Sequence, residues 1–248
     1  MYPSSRACGL STVIALAIAL ALSGCEPPEP EPDAGPQDCF VGDPEQAPEL
    51  QLVYRTAEGD LADLVEGAEV PLIVPPQGGM VVAIGARLRN VNICGLQMSA
   101  LLRDTCTDRI LGREGRPIHL EKSAEGWALP IAPSRLDNYV NINACPNLVS
   151  SRDLDQEPYQ LELRAVNLNT DLSMTSQLTL TTVCGEPDAE RLCECQCDAD
   201  YVLGRDDCYA ADAGAALWRP DPDVPPGTCP DIVDAGPDSE DAGTDAGS

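Results

Sequence analysis

Along the chain the apolar positions fall into distinct regimes. Residues 10–22 form an apolar run broken only by Ser11 and Thr12. Residues 26–48 show no apolar period at all. From about residue 49 to Cys184 the pattern changes to short runs with a period of two, which places successive side chains on opposite faces of a strand and marks a half-buried sheet. Leu50, Leu52 and Tyr54 alternate with polar neighbours, and Val70, Leu72 and Val74 alternate up to Pro75-Pro76. Met80, Val82, Ile84, Ala86 and Leu88 make the longest stripe, running from Gly78-Gly79 to Asn90.

Further strands are predicted at 95–104, 118–122, 127–131, 139–144, 159–166 and 177–184. In the segment around Leu161, Leu163 and Ala165 the intervening polar residues all share one face. The connections are rich in Pro, Gly, Asn and Asp, residues that suit turns. Residues 61–65 read as one short helical turn, and no longer helical stripe occurs in this region. Roughly seven to nine short strands of this kind predict an all-β fold, an antiparallel β-sandwich with immunoglobulin-like Greek-key connections, with a small closed barrel as the alternative. The antibody-type Cys…Trp…Cys spacing is absent, because Trp127 falls between Cys106 and Cys145 at intervals too short for it.

The N-terminal apolar run has a different meaning. It follows a short segment whose one charged side chain is Arg6, the arrangement of a secretory signal. A run of about 13 residues rises roughly 20 Å as a helix, short of a hydrocarbon core of about 30 Å. The run closes on Leu22-Ser23-Gly24-Cys25. This tetrapeptide resembles the lipobox of bacterial lipoproteins, an aliphatic residue and two small residues before a cysteine. The resemblance implies cleavage before Cys25, a diacylglyceryl group on its sulfur and acylation of the new amino terminus. Two or more acyl chains anchor durably, since each buried CH₂ contributes about 0.8 kcal/mol. An ordinary secretory signal or an uncleaved anchor is the alternative. Glu26 stands where aspartate would favour inner-membrane retention in enterobacterial lipoproteins, so the resemblance implies the outer membrane. Cys8 lies in the part that would be discarded.

Composition then narrows the partners. The chain has 15 basic and 41 acidic residues, and loss of residues 1–24 removes Arg6 and no acid, leaving a net charge of −27. Nucleic acid is excluded as a partner, because binding phosphates needs Lys and Arg to displace counterions. The expected membrane contact is the lipid on Cys25 and no basic patch. Residues 25–48 form an anchor and linker with seven prolines and seven acids between 26 and 48, a composition expected to give an extended, disordered tether. At the other end, Asp-Ala-Gly recurs from Asp212, Asp234, Asp241 and Asp245, repeating the triplet at Asp33. Residues 231–248 are expected to be a disordered acidic tail. Such tails on disulfide-rich lipoproteins are similar to those of myxobacterial-type lipoproteins, and the use of Arg with a single Lys, Lys122, is compatible with a GC-rich lineage.

Ten cysteines remain after Cys8 and Cys25 are set aside: Cys39, Cys94, Cys106, Cys145, Cys184, Cys193, Cys195, Cys197, Cys208 and Cys229. An even number in an exported chain reads as disulfides, five if all pair. Strand positions predict Cys94 with Cys106 and Cys145 with Cys184. The cluster Cys193, Cys195, Cys197, then Tyr201, Gly204 and Cys208, is similar to the second half of an epidermal-growth-factor-like module, with Asp200 where that family has glycine. Residues 185–230 are therefore expected to be a small disulfide-rich segment. A thiolate metal site is the alternative, although C-x-C is tighter than the usual zinc spacing.

Catalytic candidates are few. His119 is the one histidine, so a Ser-His-Asp or Cys-His group can be built only around it, and it lies in a predicted strand. No G-x-S-x-G, phosphate-binding glycine loop or H-E-x-x-H occurs. Paired carboxylates would permit a hydrolase, but aromatic platforms for sugar are sparse, with Trp127, Trp218, Phe40 and five tyrosines beyond the signal. No catalytic residue, metal or cofactor is expected. The domain order is a signal at 1–24, a linker at 25–48, a β-sandwich at 49–184, a Cys-rich segment at 185–230 and a tail at 231–248. The expected function is a lipid-anchored, non-catalytic binding or structural module of the cell envelope, with an envelope protein or surface ligand as its partner. The alternatives are an acid-pair hydrolase and metal handling by the Cys-rich segment.

Overall fold

The structure is a computed structural model describing residues 38–147, 149–150, 152–209 and 225–229. The first strands are β1 (Phe40–Val41), β2 (Glu49–Arg55), β3 (Leu61–Asp63), β4 (Ala68–Pro71), β5 (Met80–Arg89), β6 (Val91–Asn92) and β7 (Leu96–Asp104). They are followed by β8 (Ile110–Pro117), β9 (Leu120–Lys122), β10 (Ala128–Pro130), β11 (Val140–Cys145), β12 (Pro158–Asn167) and β13 (Ser173–Val183), and then by the helix α1 (Glu190–Cys197). All of these lie in one unit that starts at Cys39.

The fold is all-β, as the alternating pattern predicts. One sheet has the order β3-β2-β5-β10-β9, with β11 also paired to β5. A second has the order β4-β13-β12-β7-β8 and is antiparallel except between β4 and β13. The stripe Val82, Ile84, Ala86 and Leu88 on β5 is fully buried and packs with Met98, Leu102, Leu161 and Leu163 from the second sheet in a common core. On β7 the burial alternates strictly from Leu96 to Ala100, so one face of that sheet meets the core while Gln97 and Ser99 face outward. Among the described residues no helix is long and apolar enough to cross a membrane.

Several elements differ from the expectation. Residues 61–65 make no helical turn: Leu61–Asp63 pairs with Val53–Arg55 as a strand, because the neighbouring edge of β2 satisfies its backbone groups. The 25–48 linker ends early, since Phe40 and Val41 pair with Asn92 and Val91 and Val41 is buried. Strand β8 went unforeseen because Leu111 is its one buried side chain; two glycines and three charged residues hide its period. Helix α1 was also unforeseen. Its Cys193, Cys195 and Cys197 alternate with polar residues, which imitates a strand, and an eight-residue helix is marginal unless tertiary contacts hold it.

Disulfides supply that hold, and they overturn both predicted pairings. Cys94 bonds Cys39 in place of Cys106, because the β1–β6 pairing brings the two together with Cα atoms 5.4 Å apart and the Ile93 N–H donating to the Cys39 carbonyl. Cys106, in the turn between β7 and β8, bonds Cys229. Cys145 and Cys184 do not meet each other: α1 lies between them, taking Cys145 on Cys197 and Cys184 on Cys193. Cys195 bonds Cys208. In reach the bridges range from 9 to 123 residues of sequence.

A corner is pinned at the start of β12. The Tyr159 ring is buried, and its hydroxyl donates to the Asp153 carbonyl at 2.7 Å, six residues upstream. Burial pushes the pKa of this phenol well above its ordinary value, so it stays a donor.

Candidate binding site

A small second core covers the outer face of β5. Ile73 bridges Val81, and these two pack with Ala83 and Tyr139, with Leu61 and Leu136 against them. Gly85 gives the Tyr139 ring its room, since a Cβ there would lie 3.2 Å from the ring. The Tyr139 hydroxyl is buried and has no hydrogen-bond partner among the described residues. Burial pushes its pKa up to about 12 against the opposing charge of Arg55, so the group is neutral at ordinary pH.

A cleft of about 510 Å³ opens at the edge of this core, lined by Arg55, Pro75, Pro76, Arg116, Arg135 and Asn141 among others. Three distant segments position the arginines. Arg55 closes β2 and donates through Nε to the Ser134 carbonyl and through Nη1 to the Thr56 carbonyl, both at 3.3 Å. Arg116, on the core-facing side of β8, pairs with Glu114 and reaches the Leu136 carbonyl at 3.5 Å. Arg135 grips Asp137 with two hydrogen bonds, one of them Nε to Oδ1 at 3.1 Å. Glu114 also accepts from the backbone N–H of Asn141, which ties β8 to β11.

Two further groups shape the walls. Asn141 donates to the Leu136 carbonyl at 3.0 Å, while its own Oδ1 is buried without a donor among the described residues. On the opposite wall Glu186 accepts the Val74 N–H at 3.2 Å. The cleft thus offers guanidinium edges and a proline wall. Such a surface can orient an extended polar or anionic ligand. Its two carboxylates, Asp137 and Glu186, are engaged by Arg135 and by the Val74 N–H.

The residues singled out from sequence sit elsewhere. Cys25, the proposed lipid site, lies outside the described residues, as do most of the linker and all of the tail. The ten other cysteines are all in disulfides. The sulfurs of Cys184, Cys193 and Cys197 lie within 4.8 Å of one another, and Cys193 Sγ is 3.8 Å from Cys197 Sγ. A metal site there needs thiolates, whereas each of these sulfurs is bonded to another. His119 is exposed and makes no hydrogen bond or ion pair among the described residues. Trp127 lies beneath the Arg89 guanidinium, 5.7 Å from ring centroid to carbon.

A carboxylate with unusual protonation is found away from the cleft. Burial, followed by the nearby charges of Asp198, Glu157 and Asp155, raises the Asp153 carboxyl to about 6, against the hydrogen bond it accepts from the Ala199 N–H. The backbone carbonyl of the same residue accepts the Tyr159 hydroxyl at the corner, and Asp153 lines neither wall of the cleft.

Sequence reasoning missed Arg55, Arg116, Arg135 and Asn141. Each occupies a polar position of a strand or loop, and no local spacing links Arg55 to residues 61 to 86 positions further along the chain; the Pro75-Pro76 pair was the one visible local signal. No protein-family model matches the chain, and no curated protein matches it.

Proposed function

We propose that the chain is a lipid-anchored, non-catalytic binding module of the cell envelope, held by acyl chains on Cys25 and oriented at the outer membrane. The observation that carries this proposal is the Arg55–Arg116–Arg135 cleft, a recognition surface on a disulfide-clamped β scaffold whose carboxylates are already engaged. Loops on rigid scaffolds commonly carry recognition. The immunoglobulin-like assignment belongs to the same proposal: β11 pairs with β5 and β12 with β7, β4 joins β13 in parallel, and Tyr159 reaches back like a tyrosine corner. The lipobox at Leu22-Ser23-Gly24-Cys25 and the crosslinked cysteines support export.

Two measurements test it. Metabolic labelling with a palmitate analogue should mark the wild-type chain and not Cys25→Ala. A photo-crosslinking residue at Ser134 should capture an envelope component in living cells, and one at Leu168, an exposed residue outside the cleft, should not. Absence of label overturns the anchor, and equal capture at both positions overturns the cleft.

A further inference from the structure

The outward face of the β4-β13-β12-β7-β8 sheet carries an unusual charge for so acidic a chain. Register places Arg113, Leu101, Glu162 and Gln177 in one row across the strands, and Gly115, Ser99, Arg164 and Thr175 in the next. Ser99 and Gly115 are small, and a depression of about 410 Å³ lies over them, lined also by Arg113, Arg164, Glu162 and Glu114, the last already paired with Arg116. Arg113 is exposed and makes no hydrogen bond or ion pair among the described residues. Arg164 donates to the Ser173 hydroxyl at 3.0 Å and has no carboxylate partner. Glu162 accepts from Gln177 at 3.3 Å. In the cleft, by contrast, Arg116 and Arg135 are already paired with Glu114 and Asp137. Among the described residues neither Arg113 nor Arg164 has a carboxylate partner, a state they share with Arg55 of the cleft, which donates only to backbone carbonyls.

The covalent path of the chain brings carboxylates to this face. Cys229 is bonded to Cys106, in the turn that joins β7 to β8. Residues 230–248, which lie outside the described residues, hold Asp231, Asp234, Asp238, Glu240, Asp241 and Asp245 and no basic side chain. From Cys106 to Ser99 is about 23 Å at roughly 3.3 Å per residue, and 19 residues can span about 60 Å. Arg109 and Arg103 lie along the way, Arg103 already bonded to Asp108. Exposed ion pairs are individually weak, but a tether raises the local concentration of the segment to the millimolar range, so weak contacts suffice.

We propose that the acidic segment 230–248 docks on the Arg113–Arg164 face of its own sheet, covering the depression over Ser99 and Gly115. This proposal is independent of the lipid anchor and of the cleft.

A fluorescent peptide of residues 230–248 tests it against the exported, oxidised chain and the same chain ended at Pro230. The shortened chain should bind the peptide, and the full chain should bind it at least about tenfold more weakly because its own segment occupies the face. Binding should fall steeply between about 20 and about 500 mM salt. Arg113→Glu with Arg164→Glu should abolish binding by the shortened chain while its melting temperature is unchanged; if that pair misfolds, Arg113→Gln with Arg164→Gln should weaken binding by about tenfold. Equal binding by full and shortened chains, or no binding by either, overturns the proposal. So does a sedimentation result in which the full chain is a dimer that the Arg variants dissociate, which assigns the face to a second copy.

Discussion

Arg152 and Asp104 form a buried ion pair, with Nη2 2.7 Å from Oδ1 and side chains 5% and 0% exposed. Arg152 also reaches Glu157 at 2.7 Å, the Thr105 hydroxyl and the Pro158 carbonyl at 3.3 Å, and lies 5.2 Å over the Tyr159 ring. Burial alone would raise the Asp104 carboxyl. Hydrogen bonds from the Cys106 N–H and the Thr107 hydroxyl, together with the Arg152 charge, hold it below the usual range instead. The pair therefore locks the end of β7 to the corner before β12. Replacing Arg152 by Met leaves an unpaired buried carboxylate and is expected to cost about 3 to 5 kcal/mol. Urea unfolding of the oxidised protein measures this, and a loss below about 1 kcal/mol would mean that water already solvates the pair.

Asp153 makes stability depend on pH in the opposite sense. Its folded value of about 6 lies above the ordinary 3.8, so the native state binds this proton more tightly than the unfolded chain. The contribution is complete below the ordinary value and is lost as pH rises through about 6. Asp153→Asn keeps an acceptor for the Ala199 N–H and removes the charge, and is expected to stabilise the protein by roughly 1 to 3 kcal/mol at pH 7. The gain should vanish near pH 4; an equal gain at both pH values would point to packing rather than titration.

Gly112 marks where β8 crosses β11. A Cβ there would sit 2.1 Å from the Asn143 carbonyl oxygen and 3.0 Å from Ile142 Cγ2. Gly112→Ala must push the two sheets apart and is expected to destabilise by about 1 to 3 kcal/mol or more. Gly185→Ala meets nothing closer than 3.3 Å and serves as the comparison in thermal unfolding.

The bridge between Cys106 and Cys229 closes 123 residues, that between Cys195 and Cys208 only 13. On loop-closure entropy, replacing both cysteines of the first by alanine should cost about 4 to 5 kcal/mol, and of the second about 3. Peptide mapping without reduction should return the five pairs described above; a Cys94–Cys106 peptide would contradict the β1–β6 contact.

Much of the sheet is readable from local pattern. Strands β7 and β12 bury every second residue, and β5, buried on both faces from Met80 to Ala86, still carries its large apolar side chains at alternate positions; the stripes of Met80 to Leu88 and Leu161 to Ala165 are enough to place them. Strand β8 is not, because charged side chains occupy both its faces and its fit depends on Gly112 meeting another sheet. Helix α1 is not, because disulfides stabilise it more than its own sequence does. The cleft is the least legible part. Arg55, Arg116 and Arg135 become neighbours through strand order, a long-range property with no signature in the residues beside them. Disulfide partners fail for the same reason: Cys39 pairs by way of β6, and Cys229 by way of a turn far upstream.

The bridges at Cys39–Cys94 and Cys106–Cys229 also fix how the molecule carries tension. A pull applied between the residues before Cys39 and those after Cys229 travels through the first bridge, along the backbone from Cys94 to Cys106, and out through the second. That stretch is essentially β7, nine residues already extended at roughly 3.3 Å each. Strands on both sides are bypassed and feel no axial force. Stretching between those two points should therefore add almost no length until a covalent bond is reduced, so that along this line the β unit behaves as a short inextensible link.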